Sequence, residues 1–355
     1  MSLDLTLPPA ELALALVDVP SPSGAEGPLA DAVEAALRGL GHLTVGRLGD
    51  AVVARTDLGR GRRVLVAGHL DTVPIKDNVP GCLREGRLWG RGAVDMKGGL
   101  AAMLTAAAAV SAPRSDVTWV FYDNEEVSWA RSGLGRLIAK RRDWISADFG
   151  VLCEPTAGRI EGGCNGTLRA RLEARGRAAH SARPWTGSNA IHALAPALEA
   201  LAVWEAPTVE VEGLAYREAL NAVKVEGGVA GNVIPDRASL WVNYRFAPAK
   251  TEAEASRVVE AMFEGYLVEV EDSAPGARPG LDDPLARRLA AVVAEAGGGP
   301  PRAKLGWTDV ARLASIGIPA VNFGPGDPEA AHQDDEACPA DQIDLAAGCL
   351  TAFLA

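Results

Sequence analysis

The stretch "VLVAGHLDTVP", Val64–Pro74, decides the fold that we expect for this chain. Its first residues are apolar and predict a buried strand, and His69 and Asp71 follow at the carboxyl end of that strand. Because side chains alternate along a strand, residues two apart point the same way. An exposed strand end often carries polar residues, so the meaning of His69 and Asp71 depends on what the rest of the chain contains.

The segments around this strand alternate between apolar strands and helices. Strands are predicted from "AVVAR", "RVLVAG", "DVTWVFYD" and "DFGVLCEP", and helices from "GPLADAVEAALRGLG", "MKGGLAAMLTAAAAV" and "SGLGRLIAKR". Apolar strands connected through helices are typical of a mostly parallel sheet that helices cover on both faces. We therefore expect an α/β fold for this part of the chain.

The pattern changes near Thr167, where "TLRARLEARG" alternates apolar and polar residues as a strand with one solvated face does. We predict a helix over 189–204, strands over 221–230 and 238–248, a second helix over 251–266 and a Pro/Gly-rich linker over 272–284. After the linker, "GIPAVNF" returns to the apolar strand pattern. We infer a large domain in two parts, 1–166 and 274–355, with an inserted α+β domain with an antiparallel sheet, 167–273, between them.

Composition and charge limit the classes of function. Hydrophobic residues make up 48% and charged residues 23% of the chain, as in ordinary globular proteins. The net charge of −11 argues against a nucleic-acid partner, and no apolar run reaches the roughly 18 residues of a membrane span. The first residues lack the basic segment of a secretion signal, and five cysteines without CxxC spacing suit a reducing compartment. We expect a cytoplasmic protein without a membrane partner.

Acids and a second histidine occupy the same kind of position as His69. Each of them follows a predicted strand or a glycine-rich turn: Asp95, Glu125, Glu126, Glu154 and His332. A helix N-cap is the alternative role for Asp95. In an open parallel sheet, ligands gather outside the carboxyl ends of the strands. We therefore expect these side chains to form one site.

Electrostatics indicates what that site binds. Asp95, Glu126 and Glu154 would repel one another in a shared site, and at least one pKa would rise. Two divalent cations remove the repulsion, because their charge balances three carboxylates and one hydroxide, and the neutral imidazoles of His69 and His332 add no charge. Imidazole and carboxylate ligands suit zinc, with cobalt or manganese as substitutes. An aspartate that bridges two ions about 3.5–4 Å apart is usual in dinuclear hydrolases, so we predict two Zn²⁺ per chain.

Two further acids are expected to act beside these ligands. Asp71 lies on the same side of the strand as His69, so its carboxylate can accept the other ring N–H and fix the tautomer. Glu125 precedes a ligand and should point elsewhere, which leaves it free to act as the general base on a metal-bound water.

At these residues the chain resembles a known family. The order "GHLDTVP", "GRGAVDMKGG", "NEE", "CEPT" and "GPGDPEAAH" is similar to the co-catalytic zinc aminoacylase and carboxypeptidase family. The resemblance covers nearly the whole chain. It implies that His69 and Glu154 hold one zinc ion, that Glu126 and His332 hold the other, and that Asp95 bridges them.

The resemblance also implies roles for the remaining residues. Glu125 would be the base that activates a zinc-bridging water for attack on the amide carbonyl, and Asp71 would orient His69. The peptide bond between Asp95 and Met96 would be cis. The inserted domain, 167–273, would be a lid that carries the contact of a homodimer. Across that contact, His180 would stabilise the oxyanion formed in the partner's site.

The substrate expectation comes from a branch of this family. "AHSARPW", "YREALNAV" and "GWTDVARL" are similar to the actinobacterial branch that removes succinate from N-succinyl-LL-2,6-diaminopimelate in lysine and diaminopimelate biosynthesis. This small molecule carries three carboxylates, which arginine binds in bidentate fashion. We nominate Arg183 and Arg245, with Asn232 as an amide donor. The alternative roles are that of a surface residue for Arg183, an edge-strand residue for Arg245 and a turn residue for Asn232.

The chain departs from the family pattern at two places. Cys164 and Asn165 stand where well-known relatives carry arginine, and Arg183 stands where some relatives carry tyrosine. Recognition of the substrate carboxylates is therefore expected to differ from that of these relatives.

Other functions stay open at this point. Within the same class they are deacetylation of acetylornithine, dipeptide hydrolysis and release of lysine or another amino acid from a carrier protein. Outside the class, the chain could be a binding protein without catalysis or a scaffold. Glu125 argues against a binding protein, which has no use for an unliganded acid beside metals. The sequence has no GxSxG or HExxH motif, so it gives no support to a serine hydrolase or a single-zinc protease.

Overall fold

The computed structural model describes residues 3–355, and the chain divides into two compact units. The first unit comprises the chain up to Gly163 together with Pro279–Arg302 and Thr308–Ala355, and the second comprises Cys164–Arg278 and Ala303–Trp307. The sequence predicts boundaries after residues 166 and 273. Within residues 3–355, no helix has both the length and the apolar character that crossing a membrane requires.

The helices lie in both units. In chain order they are α1 (Pro9–Val17), α2 (Gly27–Arg38), α3 (Gly98–Ala109), α4 (Gly133–Lys140), α5 (Arg142–Ile145), α6 (Ala195–Ala202), α7 (Glu252–Met262), α8 (Pro284–Glu295), α9 (Val310–Ser315) and α10 (Ala340–Leu354). Short 3₁₀ turns are found at Trp129–Arg131, Pro184–Thr186, His192–Leu194 and Pro328–Ala330.

The strands of the amino-terminal half are β1 (Thr44–Leu48), β2 (Ala51–Arg55), β3 (Arg63–His69), β4 (Cys82–Arg84), β5 (Arg87–Trp89), β6 (Asp116–Tyr122), β7 (Phe149–Leu152), β8 (Glu161–Gly162) and β9 (Gly166–Arg175). Those that follow are β10 (Ala179–His180), β11 (Thr208–Val211), β12 (Leu214–Arg217), β13 (Ala219–Gly227), β14 (Val233–Ile234), β15 (Arg237–Phe246), β16 (Leu267–Ala274), β17 (Arg302–Ala303), β18 (Ala320–Asn322) and β19 (Ala337–Pro339).

The main sheet of the first unit is mixed, with a parallel centre. Its strand order is β1-β2-β6-β3-β7-β18-β8-β17. β6, β3, β7 and β18 are parallel to their neighbours in this centre, whereas the pairs β1–β2, β2–β6 and β18–β8 are antiparallel. One apolar core contains residues of α1, α2, α3, α8 and α10 together with the central strands. The predicted α/β fold is confirmed.

The carboxyl ends of the parallel strands lie at one edge of the sheet and thereby define where a site can form. β3 ends at His69, β6 at Tyr122, β7 at Leu152 and β18 at Asn322. Because parallel strands run the same way, the loops that follow them all start from this edge. Every predicted metal-ligating residue except Asp95 lies at or after one of these four ends.

The second unit has a four-stranded antiparallel sheet in the order β13-β15-β9-β16. Buried residues alternate with more exposed ones along β9 and β15, as the sequence predicts for strands with one solvated face. The buried face packs in a core with residues of α7 such as Val259. Thr251 and Glu254 form a capping box at the start of α7, which fixes where this helix begins.

Two predicted elements differ in the structure. The helix predicted over 189–204 is an α-helix only over Ala195–Ala202, preceded by a 3₁₀ turn at His192–Leu194. Pro196 has no N–H to donate and therefore belongs in the first turn of a helix. The predicted linker over 272–284 begins within a strand, because β16 extends to Ala274 and pairs with β9.

Candidate metal centre

His69 ends β3 and is almost completely buried. Its Nδ1 lies 2.9 Å from the backbone carbonyl oxygen of Asp71 and 3.6 Å from the Oδ1 atom of the same residue. The ring is therefore oriented first by the backbone of Asp71 and not, as predicted, by its carboxylate. Because Nδ1 donates to this carbonyl, Nε2 is left to act as a ligand.

The Asp71 carboxylate is occupied by other donors. It accepts hydrogen bonds from the N–H groups of Glu125, at 2.9 Å, and Glu126, at 3.0 Å. The hydroxyl of Ser23 donates to it at 2.7 Å. Asp71 thus fixes the backbone of the loop after β6, which carries two of the predicted site residues.

Asp95 lies between the two histidines of the site. Its Oδ1 is 3.0 Å from Nε2 of His69, and its Oδ2 is 3.3 Å from Nε2 of His332. Its side chain makes no N-cap hydrogen bond with the following helix, so the alternative role is wrong. The peptide bond between Asp95 and Met96 is cis, which confirms the expectation from the family resemblance.

Glu126 completes the innermost group. His69, Asp95 and Glu126 each offer a ligand atom, and these atoms lie within 4.8 Å of one another. Nε2 of His332 lies 2.8 Å from Oε1 of Glu126. The structure therefore brings together four of the five predicted ligands from segments that are far apart in the chain.

Glu154 follows β7 and is buried, but it is not part of the group of three. Its charge acts on the same region, because it helps to raise the pKa values of Glu125 and Tyr122. Its membership of the ligand set stays a prediction.

The ionisable groups of the centre strongly perturb one another. Burial disfavours a charged His69, but Asp95, Asp71 and Glu125 outweigh burial and raise its pKa well above the ordinary value. Hydrogen bonds with Asp95 and Glu126 raise the pKa of His332 to about 10. Burial opposes ionisation of Asp95, yet the two imidazoles keep its pKa below the ordinary range.

For Glu125, the causes that raise the pKa outweigh those that lower it. Burial of its carboxyl group is the largest cause that raises its pKa, and His69 compensates only in part. Glu154, Asp309 and Glu126 add negative charge around it and raise the pKa further. The site therefore has an excess of negative charge that a cation would neutralise.

Several residues of this region were missed by the sequence analysis. Asp309 is buried, accepts a hydrogen bond from Nε of Arg312 at 2.6 Å and contributes to the electrostatics of both Glu125 and Tyr122. Glu26 is buried near Asp71, and its Oε1 accepts from the N–H of Asn124. A signal for Asp309 exists in "GWTDVARL", where an acid and an arginine three residues apart flank apolar residues.

The candidate residues of the second unit form two groups. His180 and Val233 are paired between β10 and β14, and the carbonyl of Asn232 accepts from the N–H of Ser181 at 2.9 Å. The N–H of Arg183 donates to the carbonyl of His180 at 2.8 Å. The three candidate side chains in or beside this two-stranded sheet, those of His180, Arg183 and Asn232, are exposed.

Arg245 lines a different part of the second unit. It borders a cavity of about 330 Å³ together with Asn165, Trp204 and Arg217. Burial lowers its pKa, its Nε donates to Oδ1 of Asn243 at 2.9 Å, and none of the ion pairs found among residues 3–355 includes its guanidinium group. Oδ1 of Asn165 is buried without a hydrogen-bond partner in the described part of the chain.

The residues of the first unit fit a pair of divalent cations by their chemistry. Two imidazole nitrogens face the two oxygens of one aspartate, and a second carboxylate lies beside one imidazole. Imidazole and carboxylate groups are the ligands of zinc in hydrolases. The excess of negative charge around Glu125 supports the same interpretation.

Comparisons with known proteins identify relatives of this chain. The family model for peptidase family M20/M25/M40 matches residues 65–355 of this chain. A Mycobacterium tuberculosis protein provisionally named succinyl-diaminopimelate desuccinylase is 52% identical over 355 residues, which are 99% of each chain. The succinyl-diaminopimelate desuccinylase of Corynebacterium glutamicum is 46% identical over 362 residues, covering 99% of this chain and 97% of the relative.

The solved structure of a Staphylococcus aureus tripeptidase superposes on this chain with a TM-score of 0.81. It covers 100% of this chain and 98% of its own, at 21% identity. At this identity the likeness shows a shared fold.

Proposed function

The chain belongs to peptidase family M20/M25/M40, and from this membership we propose that it is a zinc-dependent succinyl-diaminopimelate desuccinylase. Its reaction is hydrolysis of N-succinyl-LL-2,6-diaminopimelate to succinate and LL-diaminopimelate, a step of lysine and diaminopimelate biosynthesis. The near full-length identity to two proteins of that name supports the substrate. The observation that carries the chemistry is the position of Asp95, whose two oxygens face two imidazoles.

The proposed ligand assignment follows this arrangement. His69 and Glu154 would hold one zinc ion, Glu126 and His332 would hold the other, and Asp95 would contribute to both. The short contact between Glu126 and His332 supports their assignment to the same ion. Bound zinc supplies an electrophile for the amide carbonyl and lowers the pKa of water.

Glu125 is proposed to move the proton. The net reaction adds OH to the succinyl carbonyl carbon and H to the leaving nitrogen. A carboxylate oxygen of Glu125 takes the proton from the attacking water and then gives it to the amine as the C–N bond breaks. Asp71 holds the N–H of Glu125 and of Glu126, so it keeps the base and a ligand in a fixed relation.

Residues of the second unit are proposed to bind the substrate. The half-buried Arg245 has no carboxylate partner among the described residues, so a substrate carboxylate can fill that role. Arg183 and Asn232 are proposed as further donors, and His180 as the group that stabilises the oxyanion. His180, Arg183 and Asn232 lie in or directly beside the two-stranded sheet of β10 and β14, which supports a joint role.

The protein is further proposed to be a homodimer in the cytoplasm. β13 is an edge strand of the second unit and exposes Val223 and Val225 by 55% and 57%. The same edge carries the exposed ion pair of Lys224 and Glu226, and we propose that a second copy covers the apolar side chains beside these charges. All five cysteines are free thiols, as is usual in a reducing compartment. Light scattering of the purified protein tests the dimer.

A comparison of substrates tests the proposed function. The protein reconstituted with zinc is offered N-succinyl-LL-2,6-diaminopimelate, N-acetylornithine and a dipeptide, and the released amine is measured. We expect kcat/KM for the succinyl substrate to exceed the others by on the order of 10²-fold or more, because charged groups built to bind a carboxylate discriminate strongly. Equal rates for the succinyl and acetyl substrates would refute the choice of acyl group.

A further inference from the structure

A buried carboxylate connects two segments of the candidate metal centre. Glu336 lies four residues after His332 and is 2% exposed. Its Oε1 accepts from the N–H groups of Val94, at 2.9 Å, and Asp95, at 3.1 Å. Its Oε2 accepts from the N–H of Gly92 at 3.1 Å. Three N–H groups of one loop thus converge on a side chain that is distant in sequence.

The loop is built to receive an anion at this point. Gly92 has φ of +84°, in the left-handed region that favours glycine. A Cβ atom at this position would lie 2.7 Å from Cγ2 of Thr72, so only glycine fits. A left-handed residue in a turn directs successive N–H groups into one concave site, which binds negative charge. In this protein the negative charge is the carboxylate of Glu336.

Arg91 also contacts Glu336 and the segment that precedes it. It is 2% exposed, and its Nη1 lies 2.9 Å from Oε2 of Glu336 and 3.0 Å from the carbonyl oxygen of Gln333. The N–H of Gly90 also donates to the carbonyl of Glu336. The loop that carries Asp95 and the segment that follows His332 are therefore joined by both side-chain and backbone hydrogen bonds.

We propose that Glu336 is a positioning residue of the metal centre. It acts through the backbone N–H of Asp95 and fixes the carboxylate of Asp95 between His69 and His332. Because Glu336 belongs to the segment of His332, the same contact sets the distance between the bridging ligand and this histidine. The inference rests on the proposed metal-dependent function, and Glu336 is not itself a ligand.

A purely structural role makes a different prediction from a positioning role. Removing one partner of a buried ion pair lowers the stability of a fold wherever the pair lies. Only a positioning residue changes metal affinity and the coordination geometry as well. Asp116 offers a matched control, since it is 3% exposed and accepts from the N–H groups of Leu58 and Arg60 and from the hydroxyl of Thr56. It lies at the first residue of β6, at the opposite end of that strand from the site.

The experiment compares Glu336→Gln and Asp116→Asn with the parent protein. Each substitution replaces one accepting oxygen with an NH₂ group at constant size. Zinc affinity is measured by competition with a chromogenic chelator, coordination by the visible absorption of the Co²⁺-loaded protein, and stability by urea unfolding of the metal-free protein. We expect Glu336→Gln to weaken zinc binding about 10–100-fold and to shift the Co²⁺ bands. We expect Asp116→Asn to lower stability while leaving zinc affinity and the Co²⁺ spectrum unchanged.

Each outcome decides the inference. It is overturned if Glu336→Gln binds zinc as tightly as the parent protein, or if Asp116→Asn loses affinity to the same extent. If Glu336→Gln does not fold, Glu336→Asp replaces it, because the shorter side chain keeps the charge but does not reach all three N–H groups. Parent-like affinity of Glu336→Asp would then overturn the inference. A parent protein that binds no divalent cation contradicts the proposed function instead.

Discussion

The candidate metal centre of the first unit and the β10–β14 region of the second unit, which carries His180, Arg183 and Asn232, differ in how many contacts hold their side chains. In the metal centre, the Asp95 carboxylate lies between two imidazoles, and the Asp71 carboxylate accepts from three donors. In the β10–β14 region, Arg183 is exposed and contributes its N–H to a hydrogen bond, and Nδ1 of His180 accepts from the N–H of Ala182. The first group is fixed by its neighbours, whereas the second is free to adapt to a ligand.

This difference indicates what each region contributes to turnover. Preorganised polar groups stabilise charge as it develops during the reaction, so they act mainly on kcat. Exposed side chains that become ordered around a substrate act mainly on binding. Substitutions in the two regions should therefore separate into effects on kcat and effects on KM, apart from those at His180, which is proposed to stabilise the oxyanion and so to act on kcat.

The largest effect is expected at the proposed base. Glu125→Gln should lower kcat by on the order of 10²–10⁴-fold, because general-base catalysis contributes about this much. Zinc content, measured by elemental analysis, should stay at about two ions per chain. The adjacent Glu126→Gln is the matched comparison, since the proposed ligand should lose zinc together with activity. Parent-like kcat in Glu125→Gln, or loss of its zinc, would show that the roles of these two acids are wrongly assigned.

A smaller effect is expected at Arg245. Arg245→Met should raise KM about 10–100-fold, since hydrogen bonds to charged groups contribute about 1.5–3 kcal/mol and 1.4 kcal/mol corresponds to tenfold. It should also increase the free energy of unfolding, because burial disfavours this guanidinium and no carboxylate among the described residues balances it. Steady-state kinetics and urea unfolding measure both quantities.

Arg183→Met is the matched comparison for Arg245→Met. Its side chain is exposed, so we expect a smaller rise in KM and little change in stability. A larger rise in KM for Arg183→Met than for Arg245→Met would reverse the proposed ranking of the two arginines.

Chain direction predicts where most of the proposed ligands lie, whereas Asp95 comes from a glycine-rich turn and not from the end of a parallel strand. The strand that ends at His69 and the strand that ends at Tyr122 are parallel, so residues that follow them must meet at one edge. The charge balance among Asp95, Glu126 and Glu154 then indicates cations. The contact of Asp95 with both His69 and His332 agrees with this reasoning.

The sequence does not predict the hydrogen bonds that hold these ligands. The carboxylate of Asp71 and that of Glu336 are bound by backbone N–H groups, which every residue has, so no side-chain pattern marks their partners. Such contacts depend on how two distant loops approach each other. For the same reason the sequence assigned the Asp71 carboxylate to His69, whereas the backbone carbonyl of Asp71 lies closer to the ring.

A buried lysine next to the metal centre should make stability depend on pH. Burial lowers the pKa of Lys97 to about 7, although Glu336 and Asp18 oppose the shift. Between this pKa and the ordinary value of 10.5, the unfolded chain binds a proton that the folded chain does not. The free energy of unfolding therefore rises with pH in this window, by at most about 1.4 kcal/mol per pH unit.

Lys97→Met should lack this rise. Relative to the parent protein, the variant should be most stable near pH 7 and become progressively less stable towards pH 9.5. Urea unfolding of both proteins without metal at pH 7.5, 8.5 and 9.5 measures the difference in slope. Lys140→Met, at an exposed lysine, is the control and should keep the slope of the parent. An unchanged slope in Lys97→Met would mean that Lys97 has an ordinary pKa in the folded protein.

The smallest effect is expected at Ser23, one of the three donors to Asp71. Ser23→Ala should reduce the free energy of unfolding by about 1 kcal/mol, the usual contribution of one hydrogen bond. Because the N–H groups of Glu125 and Glu126 still hold the carboxylate, kcat should fall by less than about tenfold. Ser256→Ala removes the hydroxyl that donates to Glu260 on the exposed face of α7 and should leave kcat unchanged. Ser23→Ala could instead lower kcat as much as Glu125→Gln does. That result would mean that each donor to Asp71 is needed separately, and that the number of contacts does not explain how the site residues are held in position.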